Sequence, residues 1–276
     1  MAVEGLKKTL VLGHRNPDTD SICSAICYAG FKHQLTGENY EPCRAGNVNP
    51  ETQYVLDYFK LKAPRLVENV KTQVKDIEIR KTKGVSRGIS LKNAWGLMQE
   101  NNVVTLPCVT EEGLLEGVIT IGDITKSYMN LYDSSIISKA CTKYANILDT
   151  LEGSMVVGDS EAYFDRGKVL IAAANPDLME NYIEKHDLVI LGNRYESQLC
   201  AIEMEAGCII VCEGAGVSLT IRKLAQERGC AVITTPYDTY TTARLINQSM
   251  PISYFMTKEN IIEFSEEDYL DDIREI

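Results

Sequence analysis

His14, Asp18 and Asp20 fall within seven residues of one another, inside the string Gly13-His14-Arg15-Asn16-Pro17-Asp18-Thr19-Asp20-Ser21-Ile22. An imidazole and two carboxylates supply mixed nitrogen and oxygen donors, which suit Mn²⁺, Co²⁺ or Mg²⁺ better than a thiol-seeking metal. A loop can gather three such side chains, whereas a continuous helix would splay them. Pro17 stiffens the segment. The short Thr19 and Ser21 can hydrogen-bond local backbone where a helix starts. The same spacing also fits a capping turn, in which Asp18 or Asp20 satisfies N–H groups orphaned at a helix N-terminus. Spacing alone leaves both readings open.

A second chemically suggestive string is Gly117-Val118-Ile119-Thr120-Ile121-Gly122-Asp123. It ends a strand and enters a helix, with a hydroxyl and a carboxylate three residues apart. Thr120 and Asp123 at that spacing could reach the neighbouring hydroxyls of one ribose while apolar neighbours flank a base. An ordinary helix cap by Asp123 is the alternative. Gly214-Ala215-Gly216-Val217-Ser218 could bind an anion through backbone N–H groups, but a lone glycine-rich turn is expected to be a tight connection. His33, late in a helix, and His186, before a buried strand, are expected to be structural.

These strings need elements to position them. The apolar run Thr9–Leu12 ends at Gly13, and Ile22, Ala25, Ile26 and Ala29 then share one helical face. Asn49-Pro50 opens another helix. Strands alternating with helices predict a parallel sheet over residues 1–66. Residues 67–131 read as a second unit, with a helix near Leu91–Glu100, strands at Val103–Val109 and Leu115–Ile121 about a turn at Glu111-Glu112-Gly113, and a helix from about Asp123. Residues 142–249 hold a βα repeat whose strands are Val169–Ala174, Leu188–Leu191, Cys208–Cys212 and Cys230–Thr234. Residues 250–276 open a further unit, with a strand expected at Asn260–Phe264 and an acidic helix from Glu266 to Ile276. The fold class is α/β.

Composition narrows the functional classes. Hydrophobic residues make up 45% and charged residues 24% of 276, as in ordinary folded chains. A net charge of −11 argues against general affinity for nucleic-acid backbones. No apolar run approaches the ~20 residues of a membrane span, and no signal-peptide core follows Lys7 and Lys8, so a cytoplasmic protein is expected. The nine cysteines stand singly, without paired Cys-x-x-Cys knuckles, and are expected to be reduced, mostly buried thiols.

The string from Gly13 to Ile22 resembles the first metal-binding motif of family II inorganic pyrophosphatases, members of the DHH phosphoesterase superfamily. Gly117–Asp123, with Leu106-Pro107-Cys108-Val109 before it, resembles a CBS domain, and the βα repeat resembles a DRTGG domain. The order matches the nucleotide-regulated subgroup of that family. The resemblance implies the N-terminal part of a parallel-sheet DHH domain (1–66), a CBS domain (67–131), a DRTGG-like domain (142–249) and the start of a second CBS domain (250–276). It implies that His14 and Asp18 bind one metal and Asp20 another, with Mn²⁺ or Co²⁺ plus Mg²⁺ around pyrophosphate. Thr120 and Asp123 are then the ribose contacts for AMP, ADP, ATP or a diadenosine polyphosphate, and a homodimer is the expected assembly. Histidine occurs only at positions 14, 33 and 186. The family's later Asp-His-His ligands are therefore missing, and the chain is expected to be an N-terminal portion, inactive by itself. Two other functions compete: a stand-alone adenine-nucleotide sensor, and a DHH phosphoesterase acting on oligonucleotides or polyphosphate.

Overall fold

A computed structural model describes residues 8–79, 81–129 and 133–274. Lys7, the boundary at Leu131 and the expected helix end at Ile276 lie outside them. The chain forms two compact units, one of residues up to Ile79 together with those from Glu263, the other of Arg80–Ile262.

In the first unit β1 (Thr9–Val11), β2 (Tyr40–Arg44) and β3 (Arg65–Leu66) pair in parallel in that order. Helix α1 (Thr19–Thr36) joins the first two strands and α2 (Pro50–Tyr58) the next two. Sequence fixes the ends of α1. Asp18 caps it by accepting from the Ser21 N–H at 2.8 Å. Gly37, at φ 73°, closes it in the left-handed region, its N–H bonded to the His33 carbonyl at 2.9 Å. Ile22, Ala25 and Ala29 form the buried stripe of α1. Asn49 caps α2 by accepting from the Thr52 N–H at 2.7 Å, and Pro50 takes the first helical position.

The second unit holds α3 (Leu91–Glu100), the antiparallel pair β4 (Thr105–Val109) and β5 (Leu115–Thr120), and α4 (Ile121–Met129). Then come α5 (Ile136–Lys139), the ribbon of β6 (Thr142–Lys143) with β8 (Tyr163–Phe164), and α6 (Tyr144–Thr150). A five-stranded sheet follows, built from β7 (Ser154–Val157), β9 (Val169–Ile171), β10 (Leu188–Leu191), β11 (Cys208–Val211) and β12 (Ala231–Thr234). Its order is β7-β12-β11-β10-β9, parallel except for β7. Helices α7 (Pro176–Met179), α8 (Tyr195–Glu203) and α9 (Leu219–Arg228) make the crossovers, and α10 (Thr239–Leu245) follows the last strand.

Alternation along these strands divides their side chains between two cores. Val189, Ile209, Val211 and Val232 pack with α7–α9. Leu188, Ile190, Ile210 and Ile233 face the other way, into a cluster that also contains Leu106 and Ile119 of the β4–β5 hairpin. The hairpin and the βα repeat thus share one core.

The chain beyond Pro251 differs from expectation. Asn260–Phe264 is irregular, and Ile262 and Phe264 are exposed. The acidic helix shortens to α11 (Leu270–Ile273) because the preceding acids form a turn, in which Asp268 Oδ2 accepts from the Ser265 N–H at 2.6 Å. A local repeat is present instead. A 3₁₀ turn at Val74–Asp76 precedes the helix that starts at Leu91, and another at Ile252–Tyr254 precedes the one at Leu270. Each helix start pairs with the residue ahead of the other turn. Ser90 bridges Pro251, and Gln73 bridges Tyr269, both antiparallel.

All nine cysteines are free thiols, and Cys43, Cys108, Cys200, Cys208, Cys212 and Cys230 are buried. Loss of hydration pushes the Cys108 thiol up to about 11 and the Cys230 thiol to about 12. A thiol-exchange reagent at pH 8 is therefore expected to titrate Cys23, Cys27 and Cys141 in the native protein and the other six only after urea unfolding. Rapid native labelling of Cys108 or Cys230, read by peptide mass mapping, would contradict this packing.

Candidate functional site

The loop between β1 and α1 lies at the C-terminal end of its strand, where ligands gather on open α/β sheets. Gly13 is required there by close approach, since a Cβ would stand 1.9 Å from Ser21 Oγ. Pro17 is buried, while His14, Asp18 and Asp20 are exposed. His14 Nε2 lies 3.4 Å from Asp18 Oδ1. That oxygen also takes the Ser21 N–H, which holds the Asp18 carboxyl below the usual carboxylate range, with His14 acting in the same direction. Asp18 Oδ1 thus caps the helix and faces the imidazole.

Asp20 does not join that pair. It sits in the first turn of α1, and its Oδ1 accepts from Ser24 Oγ at 3.3 Å. Among the described residues, no group of three or more His, Cys, Asp or Glu side chains stands close enough to hold a metal ion. The donor chemistry of His14 and Asp18 nevertheless fits a divalent cation. Neighbouring ligands of an octahedral ion at ~2.1 Å lie about 3 Å apart, near the separation seen here.

His33 and His186 each make local structural contacts. His33 Nδ1 donates to the Glu38 carbonyl at 2.7 Å. His186 has φ 71°, and the backbone around it packs against Gly167 and Gly207. Two residues that escape sequence reasoning also touch the loop. Thr52, in the first turn of α2, meets Thr19 hydroxyl to hydroxyl at 3.0 Å, and Gly46 lies against Arg15 and Pro17. Their only sequence signal is the Asn49-Pro50 helix start nearby, which says nothing of that contact.

At the second site, Thr120 and Asp123 are brought together where β5 becomes α4. Asp123 Oδ2 accepts from the Thr120 N–H at 3.0 Å and from the Thr120 hydroxyl at 2.7 Å, while Thr120 Oγ1 accepts from the Asp123 N–H at 3.2 Å. The capping arrangement is thus formed, with both residues half-buried. The Gly214 turn is a tight connection. Its first N–H groups are taken by carbonyls: Glu213 N–H by Tyr237 at 2.8 Å, Gly214 N–H by Thr235 at 2.8 Å and Ala215 N–H by Cys212 at 3.3 Å. No helix among the described residues is long and apolar enough to cross a membrane.

Comparison with known proteins agrees with this layout. Residues 74–130 match the CBS domain model and residues 146–249 the DRTGG domain model. A cobalt-dependent inorganic pyrophosphatase of Clostridium perfringens is 39% identical over 264 residues, which cover 96% of this chain and 48% of that protein. A probable manganese-dependent inorganic pyrophosphatase of Thermotoga maritima is 30% identical over 275 residues, covering 99% of this chain and 50% of that one. The chain therefore spans about half the length of these relatives. The crystal structure of the CBS and DRTGG domains of the regulatory region of Clostridium perfringens pyrophosphatase, complexed with the activator diadenosine tetraphosphate, superposes with a TM-score of 0.70. It is 36% identical and covers 74% of this chain and 89% of its own. By both layout and sequence, the chain belongs to the family II inorganic pyrophosphatases that carry CBS and DRTGG domains as a regulatory region.

Proposed function

We propose that this chain carries the first metal-binding loop and the adenine-nucleotide-sensing region of a cytoplasmic enzyme that hydrolyses pyrophosphate to two orthophosphates. The observation that carries the reading is the His14–Asp18 pair at a strand's C-terminal end, in a chain similar along its whole length to cobalt- and manganese-dependent pyrophosphatases. A bound Mn²⁺ or Co²⁺, with Mg²⁺ on the substrate, supplies a water of lowered pKa and neutralises charge on the phosphoryl oxygens. His14 and Asp18 hold one ion. Asp20, whose Oδ1 now accepts from Ser24 Oγ, would be the ligand for a second.

The sensing role falls to Thr120 and Asp123. Asp123 Oδ2 is taken up by Thr120, and no hydrogen bond to Asp123 Oδ1 from another described residue is present. That oxygen is the acceptor for a ribose hydroxyl, with AMP, ADP, ATP or a diadenosine polyphosphate as ligand. The paired turns and helix starts, Ser90 with Pro251 and Gln73 with Tyr269, support reading residues 250–276 as the opening of a second CBS domain, after segments 1–66, 67–131 and 142–249. A homodimer is the proposed assembly.

Three ligands from one loop do not close a two-metal site, so the 276 residues alone are expected to release phosphate from pyrophosphate and Mn²⁺ at background rate. Robust turnover would overturn that expectation. AMP is expected to bind the same chain weakly in calorimetry. Asp123→Ala is expected to weaken it roughly tenfold, on the order of a lost hydrogen bond to a charged group. An unchanged isotherm would remove Asp123 from the ribose. Should AMP bind while Mn²⁺ does not, the stand-alone sensor becomes the better description.

A further inference from the structure

The β1–α1 loop is held from outside itself at two points. Gly46 follows β2 and leaves no room for a side chain: a Cβ would stand 2.6 Å from Pro17 Cδ and 2.7 Å from the Arg15 carbonyl oxygen. Thr52 is fully buried, at 0% exposure, and its hydroxyl meets that of Thr19 at 3.0 Å across 33 positions of sequence. Thr19 stands between Asp18 and Asp20.

The Thr52 hydroxyl is not needed to start α2. The N–H of Thr52 is already bonded to the Asn49 side chain at 2.7 Å, and a valine would fill the same buried space. Full burial leaves the hydroxyl no water to turn to, so Thr19 is its partner. A buried hydroxyl held in this way is spent on the neighbouring loop and on nothing else in α2.

From these contacts we infer that the turn between β2 and α2 sets the geometry of the metal loop, with Thr52 as a positioning residue acting through Thr19 on the carboxylates to either side. The inference rests on the metal-binding reading given above. Groups hydrogen-bonded directly to a metal's ligands are worth about 10–100-fold in affinity, and Thr52 stands one contact further out, through Thr19, so its effect is expected at the lower end of that range.

The test is a Mn²⁺ titration of the full chain, following free Mn²⁺ by its electron paramagnetic resonance signal, with thermal unfolding of each variant alongside. Thr52→Val is expected to weaken Mn²⁺ binding about tenfold, and Thr52→Ser to restore it. Thr19→Val, which breaks the same bond from its more exposed end, is expected to match Thr52→Val and stands in for it should the buried substitution fail to fold. Gly46→Ala is expected to weaken binding in the same direction by displacing Pro17. Normal Mn²⁺ affinity in folded Thr52→Val or Thr19→Val would overturn the positioning role while leaving the metal loop in place. Failure of the unaltered chain to bind Mn²⁺ would overturn the metal reading, and the positioning role with it.

Discussion

The second unit depends on strands that are buried on both faces. Cys208–Val211 and Leu188–Leu191 have every residue buried, and neighbouring side chains point into different clusters. One cluster is closed by the crossover helices and the other by α5, α6 and the β4–β5 hairpin. The hairpin that carries Thr120 therefore has no separate core. Truncating Ile210 or Ile233 would remove about 2–5 kcal/mol of packing from the same cluster that holds Ile119. Order at the strand that carries Thr120 and order in the βα repeat are one property of the unit.

The first unit makes a different use of its sheet. Three short parallel strands leave the chain two turns at their C-terminal ends, after β1 and after β2. Both turns end in capped helices: Asp18 caps α1 and Asn49 caps α2. A cap fixes the side chain that makes it, because the helix N–H group has a defined direction. The first carboxylate of the loop is thereby oriented without any ion, and His14 lies within reach of it. Asp20, one position into the helix, has no such duty and lies along the helix surface toward Ser24.

Sequence reading succeeded where the signal is local. Leu188–Leu191 and Cys208–Val211 are continuous apolar runs bounded by turns, and they are strands. The ends of α1 and α2 follow from Asp18, Gly37 and Asn49-Pro50. Reading failed where a distant partner decides. Ser154–Val157 gives only a weak strand signal until β12 pairs with it, and the pairing is antiparallel. Asn260–Phe264 has the apolar content of a strand but no partner strand among the described residues, and Ile262 and Phe264 are exposed. The candidate site divides in the same way. Its residue types were legible in one string, whereas the turn of Asp20 toward Ser24 is a rotamer and the Thr19–Thr52 bond spans 33 positions.

The two sites are alike in a way that bears on how a ligand would be sensed. Asp18 and Asp123 each use one carboxylate oxygen at a helix start, Asp18 on the Ser21 N–H of α1 and Asp123 on the N–H and hydroxyl of Thr120, the residue that ends β5. A carboxylate has about four lone-pair positions, so capping does not exhaust it. A cation at Asp18 would share the oxygen that the Ser21 N–H uses, and a ribose at Asp123 would share the carboxylate that fixes Thr120. Binding at either place would therefore act on the same bonds that define where α1 and α4 begin. Those helices pack their buried stripes, Ile22 and Ala25 in one and Ile124 in the other, into the cores beneath them.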